Sequence, residues 1–145
     1  MEEKFNNLPS KKEYVDSILS YLRENQYTFE EERDLESSPI AMLYDDKEMY
    51  QLSYETDELA PYLAIGKMEI LSPEYIEGNY LNLIDITNEI NDKMIMVKTQ
   101  VVKEFGIYFY VTMPLPFLHD MGSFIAFSTD AIETAILHYR NKGVN

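Results

Sequence analysis

Residues 94–113 read MIMVKTQVVKEFGIYFYVTM. This stretch holds two runs rich in β-branched and aromatic residues, Met94–Val102 and Ile107–Met113, and such residues favour strands. The four residues between the runs end in Gly106, which can adopt the positive φ that tight hairpin loops need. The stretch therefore predicts a β-hairpin, and the other elements can be placed on either side of it.

The residues before this hairpin predict one helix and a series of short strands. Ser10 and Glu13 fit a capping box, in which each side chain can satisfy a free backbone donor. Apolar residues then recur at helical spacing, so we expect a helix over residues 10–25. Three or four extended runs follow it in the order Tyr27–Phe29, Ile40–Tyr44, Met49–Tyr54 and Tyr62–Leu71.

Local features refine the prediction for these strands. The charged run Glu30–Glu32 predicts that the first strand is short or lies at a sheet edge, where charge blocks unwanted pairing. The second and third runs flank the turn-like residues 45–47 and predict a hairpin. Gly66 interrupts the fourth run, which indicates a bulge or the close approach of another backbone.

Two further helices are predicted, one on each side of the quoted hairpin. Residues 79–91 carry apolar side chains at helical intervals, and a closing helix follows over residues 123–142. The apolar face of the closing helix comprises Phe124, Phe127, Ala131, Ile132, Ala135, Ile136 and Tyr139. The element order is α-β-β-β-(β)-α-β-β-α, which is an α+β fold. With 145 residues, the chain is expected to form one domain over residues 1–145.

This order of elements resembles the class I chaperones of type III secretion and the related YbjN-like domains. The local match centres on LIDITNEIN at residues 83–91, continues through the hairpin and reaches MPLP at residues 113–116. Such domains typically show a helix ending in an Asn-x-x-Asn turn, a strand pair, and a leucine–proline step before the closing helix. The residues at those positions here are Asn88, Asn91, Leu115 and Pro116.

The resemblance implies properties that the residue pattern alone does not give. The family fold is a twisted antiparallel sheet with helices mainly on one face, and its members usually form homodimers. Their role is protein binding without catalysis. Small size and strong acidity are also typical of the secretion chaperones.

Acidic residues dominate the charge of the chain. There are 26 Asp and Glu against 12 Lys and Arg, which gives a net charge of −14. Residues 1–79 hold 19 acidic and 7 basic residues, a net charge of −12, and the remainder carries only −2. Phosphate backbones and anionic membranes repel such a surface, so neither nucleic acid nor a membrane is expected as a partner. The charge fits solubility or a basic protein partner.

The sequence lacks the residue patterns of common catalytic and metal sites. It has no cysteine, which excludes disulfides, thiolate zinc sites and cysteine nucleophiles. Asp120 could orient His119 as a base, but no serine nucleophile or second base accompanies the pair, so we interpret His119 as a surface or capping residue. We interpret His138 as part of the exposed flank of the closing helix. The acidic runs Glu30–Glu32 and Asp45–Glu48 lack the spacing of a calcium loop. We therefore expect no enzyme, no cofactor and no metal site; a hydrolase with two carboxylates distant in sequence remains an alternative.

Tyrosine and methionine supply the candidate partner-binding residues. Tyr108 and Tyr110 lie on the face of their strand opposite to Phe109, because side chains alternate along a strand. Met94 and Met96 share a face in the preceding run. Both residue types serve interfaces well, so these four residues are predicted to contact a partner if helices cover only one side of the sheet. The alternative is that they pack under the connecting loops.

Three functional hypotheses follow. The leading one is a non-catalytic protein-binding domain, chaperone-like or regulatory, that binds a partner polypeptide on an uncovered sheet face. The alternative is an acidic inhibitor or nucleic-acid mimic, whose carboxylates imitate phosphates and block a basic protein. A third class is a small enzyme or ligand-binding protein with a pocket near His119. No signal peptide and no run approaching the ~20 apolar residues of a membrane span are visible, so a cytoplasmic location is expected.

Overall fold

The computed structural model describes residues 10–32, 39–56, 61–114 and 120–142. Its helices are α1 (Lys11–Glu24), α2 (Pro73–Lys93) and α3 (Met121–Asn141). Its strands are β1 (Thr28–Glu31), β2 (Pro39–Asp45), β3 (Glu48–Thr56), β4 (Pro61–Ile70), β5 (Lys98–Val102) and β6 (Gly106–Pro114). The predicted α+β class and element order are confirmed, and the optional fourth strand before α2 is present. The predicted Leu115–Pro116 step and His119 lie outside the described residues.

The six strands form one twisted antiparallel sheet. Their order is β1-β2-β3-β4-β6-β5, and every neighbouring pair is antiparallel. The predicted edge position of the first strand is confirmed, since β1 pairs only with β2. The last two strands are joined as a hairpin, but β6 inserts between β4 and β5. The strand that carries Tyr108 and Tyr110 is therefore an interior strand.

Each helix begins at a side-chain cap. Ser10 accepts a hydrogen bond from the Glu13 backbone N–H at 3.2 Å, which confirms the predicted start of α1. Ser72 caps α2 in the same way, and Pro73 occupies its first turn, where a missing N–H costs nothing. The predicted start of this helix at residue 79 is wrong. Asn79 is a kink with φ −123° inside α2, and the earlier turns depend on the Ser72 cap.

The strand predicted over Met94–Val102 is shorter than expected. Helix α2 continues to Lys93, and the backbone N–H of Met94 still donates to the carbonyl of Ile90 at 2.8 Å. Ile95 and Met96 form a bend, Ile95 is 85% exposed, and β5 begins only at Lys98. The prediction that Met94 and Met96 share a strand face is therefore wrong.

The helices pack on one face of the sheet, and the buried apolar residues form one cluster there. Side chains from the inner strands meet those of all three helices; the fully buried ones include Leu22, Leu52, Leu63, Ile65, Leu83, Ile107, Phe109, Val111, Ile132 and Ile136. The predicted face of α3 is confirmed except at Phe127, which is 58% exposed. Ser128 and Thr129 complete the buried stripe of α3 in its place. We call this side of the sheet the helix-covered face.

Candidate functional site: the open face of the sheet

The other side of the sheet carries a row of residues that runs across all six strands. Strand pairing places Glu30, Met42, Gln51, Gly66, Tyr110 and Lys98 in one row across all six strands. Side chains at every second residue along each strand share this face. No helix among the described residues packs against it, and we call it the open face.

Tyr108 and Tyr110 lie on the open face in β6, the strand next to the β5 edge. Their rings stack with centroids 5.4 Å apart and planes inclined by 19°. The ring of Tyr108 reaches over β4 onto Gly66, where an added Cβ would lie 2.2 Å from the Tyr108 hydroxyl oxygen. Gly66 therefore marks a close approach, as the sequence indicated, but the group that approaches is a tyrosine ring and not a backbone. The pairing of β4 with its neighbours continues through Gly66 without a register shift.

Small residues beside the tyrosines are buried although no described helix covers them. Ser53 is 2% exposed and Ala64 is 6% exposed, and strand pairing places the two opposite each other. The Ser53 hydroxyl accepts a hydrogen bond from the Gln51 side-chain amide at 3.1 Å. The open face thus has a small-residue floor with amphipathic side chains around it.

The electrostatic environment keeps the Tyr108 phenol neutral. Burial, together with the charge of Glu55 and the neighbouring Tyr110, raises the pKa of Tyr108 to about 12. A neutral phenol can donate a hydrogen bond but is a poor base or nucleophile at neutral pH. The tyrosine pair is therefore suited to contact and hydrogen bonding.

The structure brings together two of the four predicted site residues and separates the other two. Tyr108 and Tyr110 share the open face, whereas Met94 caps α2 and Met96 lies in the bend that follows it. The prediction missed Met68, which pairs with Tyr108, and Gln51 and Met42, which continue the row of Tyr110 two and three strands away. The alternation along β2, β3 and β4 was visible in the sequence, but the strand order that aligns these residues with β6 was not.

Asn91 closes part of the edge next to the open face. Its side-chain amide accepts from the backbone N–H of Thr99 at 2.7 Å and donates to the carbonyl of Thr99 at 3.2 Å. The amide thus pairs with the outer edge of β5 as a neighbouring strand would. The Thr99 hydroxyl also bonds to Asn91 and to the carbonyl of Thr87. This network ties α2 to β5 and blocks strand addition at Thr99. Asn88, the other asparagine of the quoted motif, is exposed.

A second polar constellation lies on the helix-covered face. The Lys67 ammonium contacts the carboxylates of Glu48 and Glu133, and the Tyr50 hydroxyl donates to Glu133 at 2.6 Å. Burial disfavours the charged Lys67, but the hydrogen bonds to Glu133 and Glu48 outweigh it and raise the pKa of Lys67. A lysine held in its protonated form is unsuited to act as a base or nucleophile. We interpret this network as an attachment of α3 to the sheet.

His138 is less exposed than predicted. It lies on α3 with a half-buried side chain, and its Nε2 atom is 3.9 Å from Glu89 on α2. Glu89 also pairs with Lys93 and Lys142, at 2.8 Å and 2.9 Å. Within the described ranges, no group of three or more histidine, aspartate or glutamate residues could hold a metal ion.

Comparison with known proteins identifies no relative. No family model, no curated protein and no solved structure matches the chain. Among the described residues, no helix is both long enough and apolar enough to cross a bilayer.

Proposed function

We propose that this chain is a non-catalytic protein-binding domain that binds a partner polypeptide on the open face of its sheet. The observation that carries the proposal is the uncovered face of the six-stranded sheet, on which Tyr108 and Tyr110 stack in β6 beside Gly66 and Met68 of β4. An interior sheet face with large amphipathic side chains offers a wide contact area that costs little conformational entropy to order.

The chemistry of the open face indicates the kind of partner. Tyrosine and methionine favour an apolar segment, because both present large, adaptable contact surfaces. The net charge of −14 favours basic residues flanking that segment and would accelerate their encounter with the domain. The proposed partner is therefore an apolar polypeptide segment with basic flanks.

The proposal extends to family, assembly and location. The element order and the position of Asn91 support membership of the YbjN-like and secretion-chaperone-like group, in which homodimers are usual. Leu81 on α2 and Phe127 and Leu137 on α3 are more than half exposed, and they supply apolar surface that a homodimer would bury. We place the protein in the cytoplasm, as the sequence predicts. Light scattering tests the assembly: a strict monomer would contradict it.

The acidic-mimic alternative is less well supported. Glu30 and Glu31 are adjacent in β1, so their side chains point to opposite faces of the sheet. Glu31 is paired with Arg23 at 2.7 Å, which neutralises part of the charge that would have to imitate a phosphate row. The carboxylates of this edge therefore do not form one continuous anionic strip.

Selection from a random peptide library tests the proposed function. We expect enriched peptides to combine apolar residues with Lys or Arg, and to bind the double variant Tyr108→Ala/Tyr110→Ala at least tenfold more weakly than the unmodified chain. The matched control is Ile95→Ala/Phe105→Ala, which removes two exposed apolar side chains from the bend after α2 and from the β5–β6 loop. Failure to enrich any peptide, or an equal loss of affinity in both variants, would contradict binding at the open face.

A further inference from the structure

A cavity of about 420 Å³ lies away from the centre of the open face, at the end of the sheet where β2 turns into β3. The first half of α3 borders it through Ile125 and Thr129, and Leu43 lies among its apolar walls. Its volume falls within the range of about 300–1,000 Å³ that small-ligand pockets occupy. Nothing derived above from the open face assigns a role to this cavity.

Three tyrosines line the cavity, and their hydroxyl groups are already engaged elsewhere. Tyr50 donates to Glu133 at 2.6 Å, Tyr44 bonds to Glu30, and Tyr27 bonds to Tyr21. Tyr27 and Tyr50 therefore offer ring surface to an occupant more readily than phenol hydrogen bonds. The Lys67 ammonium already lies 5.6 Å from the centroid of the Tyr50 ring. The Tyr44 side chain shares the open face with Met42, so this residue borders the cavity without turning its ring into it. Aromatic faces carry a negative partial charge and attract cations.

Two carboxylates line the same cavity. Asp45 and Asp46 belong to the β2–β3 turn, and neither forms an ion pair with another described residue. Lys47, the cation of this turn, is exposed and does not line the cavity. The nearby Lys67 is held between Glu48 and Glu133, so its charge is already compensated. The cavity thus combines aromatic walls with uncompensated negative charge.

We propose that this cavity receives the arginine side chain of a partner polypeptide. A guanidinium group is planar, stacks on aromatic rings and binds carboxylates through two parallel hydrogen bonds, so it uses both features of the cavity. The volume leaves room for the main chain that carries the arginine. The inference goes beyond the open-face function, because it concerns a separate site and names the residue that the site selects.

Nuclear magnetic resonance of the full ¹⁵N-labelled chain tests this proposal with Nα-acetyl-arginine amide as the probe. At constant ionic strength, we expect saturable shifts at the amides of Gln26, Thr28 and Thr129, which line the cavity. The citrulline counterpart has nearly the same shape without the charge, and it should bind at least tenfold more weakly. Free arginine carries the same net charge as the blocked probe, with an ammonium and a carboxylate in place of the two amides. A site for the side chain of a polypeptide should therefore not bind it more tightly than the blocked probe.

The variant Asp45→Asn/Asp46→Asn should bind the acetyl-arginine amide probe at least tenfold more weakly than the unmodified chain. Asparagine tolerates the positive φ of 57° at position 46, so the turn is retained. The control Asp16→Asn/Asp85→Asn removes the same charge from exposed positions on α1 and α2 and should leave binding unchanged.

Three results would overturn the assignment: no shifts at the cavity, equal binding of the citrulline probe, or equal loss in both variants. Tighter binding of free arginine than of the blocked probe would indicate a small metabolite in place of a polypeptide and would overturn it as well. None of these results bears on peptides that bind the open face, so the two proposals fail separately.

Discussion

The two faces of the sheet differ most clearly along β6, where neighbouring residues point in opposite directions. Phe109 is fully buried on the helix-covered face, where its ring meets the edge of Tyr139 at 6.2 Å. Tyr108 and Tyr110, on either side of it, are only partly buried on the open face. One strand therefore supplies both the core and the candidate interaction surface. Stability should depend on the first set of side chains, and partner binding on the second.

The largest expected effect comes from truncating the two neighbours separately. Phe109→Ala should lower the free energy of unfolding by about 3–5 kcal/mol, because it leaves a cavity beneath α3. Tyr110→Ala should cost about 1 kcal/mol or less, since its side chain remains in contact with solvent. Urea denaturation measures both. A cost for Tyr110→Ala equal to that for Phe109→Ala would show that the open face is a second core.

The pairing of Asn91 with the β5 edge should be the next most costly contact to remove. Asn91→Ala leaves the N–H and the carbonyl of the buried Thr99 without their side-chain partner. We expect this to lower the free energy of unfolding by about 1–3 kcal/mol. Asn91→Asp should cost less, because it keeps the acceptor. The exposed Asn88 is the matched control, and Asn88→Ala should change stability by no more than about 0.5 kcal/mol. If Asn91→Ala and Asn88→Ala change the free energy of unfolding equally, the pairing of Asn91 with β5 does not stabilise the fold.

A double-mutant cycle can test how Tyr108 is seated on Gly66. The added methyl group of Gly66→Ala forces the Tyr108 ring out of its position. We expect this to lower the free energy of unfolding by about 1–3 kcal/mol. In a Tyr108→Ala background the same change should be neutral or stabilising by about 0.5–1 kcal/mol, because alanine suits a strand better than glycine does. Thermal unfolding of the four proteins gives the coupling. Equal costs in both backgrounds would contradict the close approach.

The smallest expected effect is on acid stability and comes from the ion pairs that join α2 to the end of α3. Hydrogen bonds from Lys93 and Lys142 lower the pKa of Glu89 to about 2. A folded-state pKa below the unfolded value of 4.5 adds stability above pH ~4.5, and this contribution is lost as the pH falls towards 2.

Glu89→Gln should therefore reduce the decline in Tm between pH 5 and pH 2. Glu77→Gln, which changes an exposed glutamate of the same helix, should leave the decline unaltered. Scanning calorimetry across this pH range measures both variants. If Tm falls as steeply between pH 5 and pH 2 in Glu89→Gln as in the unmodified chain, Glu89 does not contribute to the acid stability.

The sequence predicted those parts of the fold that depend on local periodicity. The apolar spacing after Ser10 located α1, and the alternation of residues 107–113 assigned Phe109 and Tyr108 to opposite faces. The start of α2 was missed because Ser72-Pro73 ends a strand and begins a helix at the same time. Residues 94–97 were assigned to a strand because their composition favours one, whereas the helix preceding them is fixed by the distant pairing of Asn91 with Thr99.

The candidate site was predictable only in part for the same reason. Tyr108 and Tyr110 could be recognised within a single strand. Met42, Gln51 and Gly66 join them only because β6 inserts between β4 and β5, and that arrangement depends on contacts far apart in sequence. The cavity at the β2–β3 turn likewise combines residues from β1, the turn and α3. Local patterns do not encode such combinations.

Methionine methyl resonances provide the most direct test of whether a partner occupies the open face. Met42 and Met68 lie on that face, whereas Met113 and Met121 belong to the helix-covered side. With ¹³C-methyl-labelled methionine and a selected peptide, we expect saturable shifts at Met42 and Met68, while Met113 and Met121 stay unchanged. Shifts confined to Met113 and Met121, or to Met94 and Met96 beyond the end of α2, would contradict binding at the open face.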